Sequence, residues 1–532
     1  MHKIIGIALL LLANINSYSQ APTVGLLKTD TSLAEYYTLF SPERNNHVYL
    51  INNCGEKLNE WTFSEFPGAT CYLLNNGNLL RAGKDSLEIR DWNNNLIWSY
   101  AMDLNGYRQH HDIEPLPNGN ILCLLTDRYT KAEAIAMGRD SNRIDAEFKL
   151  DKLIELQPQG TNGANLIWEW KYADHFIQDF DSTKANFGIV ENHPELLDIN
   201  YKTTHNSDYT HANGIDYNAT LDQIIISARH LSEIHIIDHS TSSAEAASHM
   251  GGNSGKGGDF LWRWGNPAVY RQGTPSDQKL IGQHDSKWVE DGYLDAGKIS
   301  VFNNDNDSNV HYSSVHLINP SIVNGQYSMA NNMYLPSSYD WSFSGTVLGD
   351  TLFENRKSGA HSLPNGNFMV CQTSIGQFFE VDKSGNVLWV YKNPSGTSIA
   401  AQGSTNTNLN VVFRAEKYPS THPAFIGKNM LSMGLIEDSN TLSDTCISVG
   451  INEQDFSLSF GIANPSTNGI IQFNSNYQFD RIELYHSNGQ LIKMINHFNG
   501  NQIKISQELS GLYFLKVYAN KQVGIKKVMF LK

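Results

Sequence analysis

At 532 residues, with 40% hydrophobic and 11% aromatic residues, the chain is long enough for two to four domains and a sizeable core. Its formal net charge of -15 is spread thinly rather than in blocks. That distribution excludes a nucleic-acid footprint and a basic membrane-binding patch.

The chain opens on Lys3 and a short apolar run, Ile4 to Ala13, followed by small polar residues. This pattern reads as a secretory signal peptide over residues 1–20, cleaved near Ser19–Gln20, and no other stretch predicts a transmembrane segment. Export permits disulfides. The five cysteines stand singly, without a Cys-x-x-Cys pair. Cys54–Cys71 is a conceivable bridge, but isolated buried thiols are the simpler expectation, and nothing supports a thiol nucleophile.

Through the next four hundred residues one pattern recurs: an Asn-Gly-Asn type turn, a short apolar strand, a second strand ending on an acid, a Gly or Asn turn, and a strand bearing Trp. Leu73 to Tyr100 and Leu363 to Tyr391 are two clear copies. Val48 to Trp61, Leu116 to Trp170 and Ile224 to Gly265 are others, and His284 to about Ile322 is degenerate. Short period-2 strands between Gly, Asn and Asp turns, without any helical stripe, predict an all-β fold. About six repeats of this size predict a six-bladed β-propeller over residues 21–445, because one small sheet cannot cover both of its faces alone. From about Gly450 the Trp pattern stops. The tail, residues 446–532, predicts a small β-sandwich ending in Lys521, Lys526, Lys527 and Lys532. Its "NPS", "NG", "GLYFLKV" and Lys-rich end resemble the C-terminal sorting domain of type IX secretion substrates. The resemblance implies the secretion machinery as a partner and a secreted or cell-surface protein exported through the periplasm of a Gram-negative bacterium.

Three histidines share one register. His111, His211 and His284 each lie seven residues before a turn residue, Asn118, Asn218 and Asp291. Where first strands line a central channel, equivalent positions converge on one axial space. The register favours His111 over His110, and His361, only four residues before its turn, need not point the same way. Asn213 falls on the side of His211, and Arg229 closes its strand, with His230 facing away if the strand stays regular. Three neutral imidazoles can hold zinc or copper. Against a metal, there is no His-x-His pair, Asp112 and Asp285 should alternate to the opposite face, and an Arg repels a cation. Arg, Asn and His donors suit a multi-oxygen anion instead. Without a Gly-rich P-loop no nucleotide donor is indicated, and no cofactor is expected.

The set "HHDIEPLPNGN", "THANGIDYN", "ISARHLSEI" and "GQHD", with the eighteen-residue step from His211 to Arg229 and the stretch Trp264 to Pro267, resembles the bacterial arylsulfate sulfotransferases over roughly residues 40 to 440. The resemblance implies sulfuryl transfer from a phenolic sulfate ester to a phenolic acceptor, without the nucleotide donor. His284 would be the nucleophile, while His111, His211, Asn213 and Arg229 would bind the sulfuryl oxygens and assist proton transfer. Members carry a cysteine pair shortly before the nucleophile, but here no Cys lies between Cys123 and Cys371. The alternative expectation is a non-catalytic propeller that binds an anionic ligand in its channel.

Overall fold

A strand of alternating apolar residues leaves a face that only a neighbouring sheet can cover, and this chain solves the problem six times. The computed structural model describes residues 21–202, 205, 207–306, 309–404, 410–446, 460–462, 466–467, 469–486, 491–505, 511–519 and 522–531. The expected signal peptide lies outside them. The chain divides into two compact units, Met1–Ile447 and Ser448–Lys532. Both are built of β-strands, and among the described residues no helix is long and apolar enough to cross a membrane.

Six antiparallel sheets of four or five strands carry the first unit. In four of them the first-edge strand comes first in the chain, Pro67–Leu73, Gln109–Pro115, Ala212–Asn218 and His284–Trp288, and in a fifth the edge strand Gly359–Ser362 is preceded only by the opposite-edge strand Gly25–Lys28. In the sixth it is Val412–Pro419, which pairs back onto Tyr36–Pro42 near the N-terminus, from Tyr36 opposite Pro419 to Pro42 opposite Val412. These six edge strands contact one another in a closed ring. The architecture is all-β and propeller-like.

The recurring Trp joins sheet to sheet. The indole N–H of Trp61 donates to Asp91 O at 2.8 Å, Trp98 to Gly163 O at 2.8 Å, and Trp170 to Gly258 O at 2.8 Å. Trp262 donates to Leu335 O at 2.9 Å, Trp341 to Lys383 O at 2.9 Å, and Trp389 returns to Asn53 O at 2.8 Å in the first sheet. Each ring therefore fills the seam between two sheets and satisfies a carbonyl of the next.

Cys54 pairs with Cys446, with their Cα atoms 5.5 Å apart, and not with Cys71. The partner is set by the closing seam, where the Ser443–Thr445 turn lies against Cys54 and Ser443 donates to its carbonyl at 2.7 Å. Cys71, Cys123 and Cys371 are buried free thiols, and burial pushes Cys71 up to about 12.

In the second unit the described residues form one five-stranded sheet, in the order Ser466–Thr467, Gln522–Leu531, Gly511–Ala519, Ile470–His486, Leu491–Lys504. Ile471, Phe473, Phe479, Leu484, Leu515, Val517 and Phe530 make its own core.

Candidate active site

Five of the six edge strands lose regular pairing at their N-terminal end, and only Gly359–Ser362 keeps it. A bulge adds residues to one strand, re-aims side chains and breaks the two-residue alternation. Here the bulges hold His111 at φ +70° and Asp285 at φ +56°, with His211 at φ +44° just before its strand. Non-glycine residues pay strain in this region, and surrounding contacts must hold them there.

Asp151 supplies much of that hold. Its Oδ2 accepts the Thr210 hydroxyl at 2.6 Å and the Ala212 N–H at 2.6 Å, on both sides of His211, while Oδ1 accepts His110 Nδ1–H at 2.6 Å. Burial works against charge on His110, but Asp151 prevails and raises it. His211 Nδ1–H donates to Asp208 Oδ2 at 2.7 Å. Burial alone would raise the Asp208 carboxyl, yet His211 and the neighbouring imidazoles bring it down to about 2. The His110, His111 and His211 ring centroids lie 4.3, 5.0 and 5.3 Å apart, and His111 stacks on Phe413 at 5.4 Å. The register that favours His111 over His110 thus leaves out a ring that packs against both His111 and His211.

His284 is 3% exposed. Asn304 Nδ2 donates to Glu354 O and Lys357 O, both at 2.9 Å, so its Oδ1 faces His284 Nδ1 at 2.7 Å. Nδ1 therefore carries the proton. The Nε2 lone pair accepts the Lys357 N–H at 3.0 Å. Burial drives His284 well below the usual imidazole range; the Asn304 bond opposes this, and Arg229 and His211 add to it. His284 is a neutral imidazole with its lone pair on Nε2.

The strand before Arg229 ends at Ala228, and Arg229–Leu231 is a tight helical turn. His230 consequently does not face away. It stacks on His211 at 4.4 Å, donates from Nδ1 to Asp208 O at 2.6 Å, and takes Arg229 Nη1–H on Nε2 at 2.8 Å. Asn213 is fully buried and donates to the Gln283 carbonyl, next to His284, at 2.8 Å, while its Oδ1 has no hydrogen-bond partner.

One residue further along these strands, Asp112 and Asp285 meet at Arg414. Arg414 lies 2.8 Å from Asp112 Oδ2 and 3.1 Å from Asp285 Oδ1. Asp112 also accepts the Tyr72 hydroxyl at 2.9 Å and the Ile215 N–H at 3.0 Å. Gly359 makes room, since a Cβ there would sit 2.2 Å from Asp285 Oδ2. Both carboxylates pair with Arg414 rather than with a site histidine. His361 belongs to this deeper layer, accepting Lys417 N–H at 3.2 Å. Nothing in the sequence repeats singles out Arg414, since its strand arrives from the far end of the unit. Asp208 and His230, in contrast, stand beside site residues in the sequence.

The family model described as Arylsulfotransferase (ASST) matches residues 70–376. A second, Secretion system C-terminal sorting domain, matches residues 464–531. A comparison with curated proteins found no match. Similar solved structures include a protein of unknown function from Bacteroides caccae, at TM-score 0.39 and 12% identity, covering 72% of this chain and 99% of that one. The Myceliophteria thermophila Cps50 (Swd1) beta-propeller domain gives TM-score 0.36 and 9% identity over 70% of this chain and 90% of its own. A streptogramin B lyase gives 0.32 and 10% over 75% and 99%. Likenesses this distant say nothing of chemistry.

Proposed function

The chain belongs to the arylsulfotransferase family, and from that premise we propose that it moves a sulfuryl group from a phenolic sulfate ester to another phenol through a sulfohistidine on His284. We read its six sheets as the blades of a six-bladed propeller, with the site at the bulged ends of the edge strands.

One observation carries the reading: His284 is a buried, neutral imidazole whose tautomer is set by Asn304, leaving Nε2 as the nucleophilic nitrogen. Nε2 attacks sulfur as the S–O bond to the aryl oxygen breaks, and the electron pair leaves on the phenolate. His211, protonated on the nitrogen turned away from Asp208, supplies the proton to that oxygen. The accepting phenol gives its proton back to the same base and attacks sulfur, and the N–S bond breaks. Negative charge spread over the sulfuryl oxygens is met by Arg229, while Asp151, Asp208 and Asn304 hold the imidazole rings in place. The Lys357 N–H, now on Nε2, must yield as the N–S bond forms.

The sorting domain implies export by a type IX route and a secreted or cell-surface protein. We place the signal peptide at residues 1–20, passage through the periplasm of a Gram-negative cell, and a second layer completing a sandwich in the C-terminal unit.

A second reading is a non-catalytic anion binder. The occupied lone pair of His284 and the engagement of Asn213 Nδ2 by Gln283 favour it. Release of phenol from a chromogenic aryl sulfate, with and without a phenolic acceptor, separates the two. Acceptor-stimulated release in the wild type, reduced at least about a thousandfold in His284→Ala, is the expected result. No release by a folded wild type over a broad donor panel favours the anion binder.

A further inference from the structure

We propose that His110, His111 and His211 form a binding site for one divalent transition-metal cation of the zinc or copper class, mutually exclusive with a sulfuryl group. The inference does not rest on the transferase reading, because it concerns what three imidazoles can hold and not what His284 does.

One ring nitrogen of each histidine lies within 4.8 Å of the other two. Tetrahedral Zn–N bonds of about 2.0–2.1 Å place donors about 3.3 Å apart, a closure that small ring tilts supply. Metal-ligating histidines characteristically donate their other N–H to a carboxylate, which fixes the tautomer and leaves a lone pair for the metal. Two of the three do so here: His110 to Asp151 at 2.6 Å and His211 to Asp208 at 2.7 Å. The cation would take Nε2 of both. The ring nitrogens of His111 make no hydrogen bond with the described residues, so either can turn toward it. A water would complete four-coordination.

The sequence argues against a cation because its alternation aims no carboxylate at the histidines and Arg229 would repel it. In the structure the two carboxylates stand one bond behind the imidazoles, where they balance a divalent charge without ligating it. Arg229 is turned onto His230 Nε2 at 2.8 Å, and His230 lies between it and His211. The same bond disfavours the alternative group Asp208, His211 and His230, whose third nitrogen is occupied. The separate group His175, His249 and Asp259 is accounted for by Asp259 Oδ1, which lies 2.8 Å from both imidazoles.

The test uses the full chain, stripped with a chelator and titrated with Co²⁺ and Zn²⁺. The expected result is one ion per chain, tetrahedral Co²⁺ absorption, micromolar or tighter affinity, and weaker apparent affinity as inorganic sulfate is added. His110→Gln and His211→Gln should each weaken binding at least tenfold. His284→Ala should bind metal like the wild type while losing aryl-sulfate turnover, so either reading can fail alone. Absence of tetrahedral Co²⁺ absorption, or unchanged affinity in both Gln variants, overturns the site. No effect of sulfate overturns the exclusivity. If a variant unfolds, Zn²⁺ protection of the three histidines from diethyl pyrocarbonate in the wild type decides the same question, and failure to protect them refutes the site.

Discussion

The tautomer of His284 is decided by an amide that cannot turn. Asn304 spends both N–H bonds on the carbonyls of Glu354 and Lys357, so only its oxygen remains for the imidazole. Burial then holds His284 well below the usual range near 6.5. Protonation would remove the attacking lone pair, so the sign follows: the nucleophile stays active as pH falls through 6.5 and is lost only through its lowered value. In rapid mixing with a chromogenic aryl sulfate whose phenolate leaves without protonation, the rate of the first phenol burst should show no break centred near 6.5 between pH 8 and pH 5. A break there would mean that His284 titrates as an exposed imidazole does.

At the scale of elements, the Trp-bearing strand and the bulged edge strand divide the work. The Trp pattern was legible in the sequence because it repeats, but its purpose was not, since each indole meets a carbonyl of the following sheet. Trp389 is fully buried and closes that series onto Asn53. Trp389→Phe keeps much of the apolar volume but strands the carbonyl, which should cost about 1–3 kcal/mol, read as a lower urea midpoint at unchanged slope. An unchanged midpoint would assign the seam to packing alone. The bulges were illegible. Alternation predicts a common register for His111, His211 and His284, yet it sends His230 away from His211, because the strand ends at Ala228 and Arg229–Leu231 turns.

For the first unit as a whole, three devices join its ends: the Val412–Pro419 strand paired to Tyr36–Pro42, the Gly25–Lys28 strand on the outer edge of the last sheet, and the Cys54–Cys446 bond. The disulfide spans a sequence separation of 392, so its chief effect is to restrict the unfolded chain. The double variant Cys54→Ser/Cys446→Ser should unfold with about 2–5 kcal/mol less stability, measured by urea titration of each protein. Equal stability would show that strand pairing alone closes the ring.

By itself the sequence determined the all-β class, the sequence of sheet-forming repeats, the change of pattern at the tail and the common register of three histidines. These depend on turn residues and strand periodicity, which act over a few neighbours. Only the tertiary structure decided that the last edge strand belongs to the first sheet, that Cys54 meets Cys446 rather than Cys71, and that Arg414 gathers Asp112 and Asp285 beneath the histidines. It also decided that Asp151 and Asp208 stand behind His110 and His211. Each of these depends on groups brought together by closing the ring. A buried charge or thiol takes the partner that the closed ring sets beside it, and sequence separation does not enter that choice.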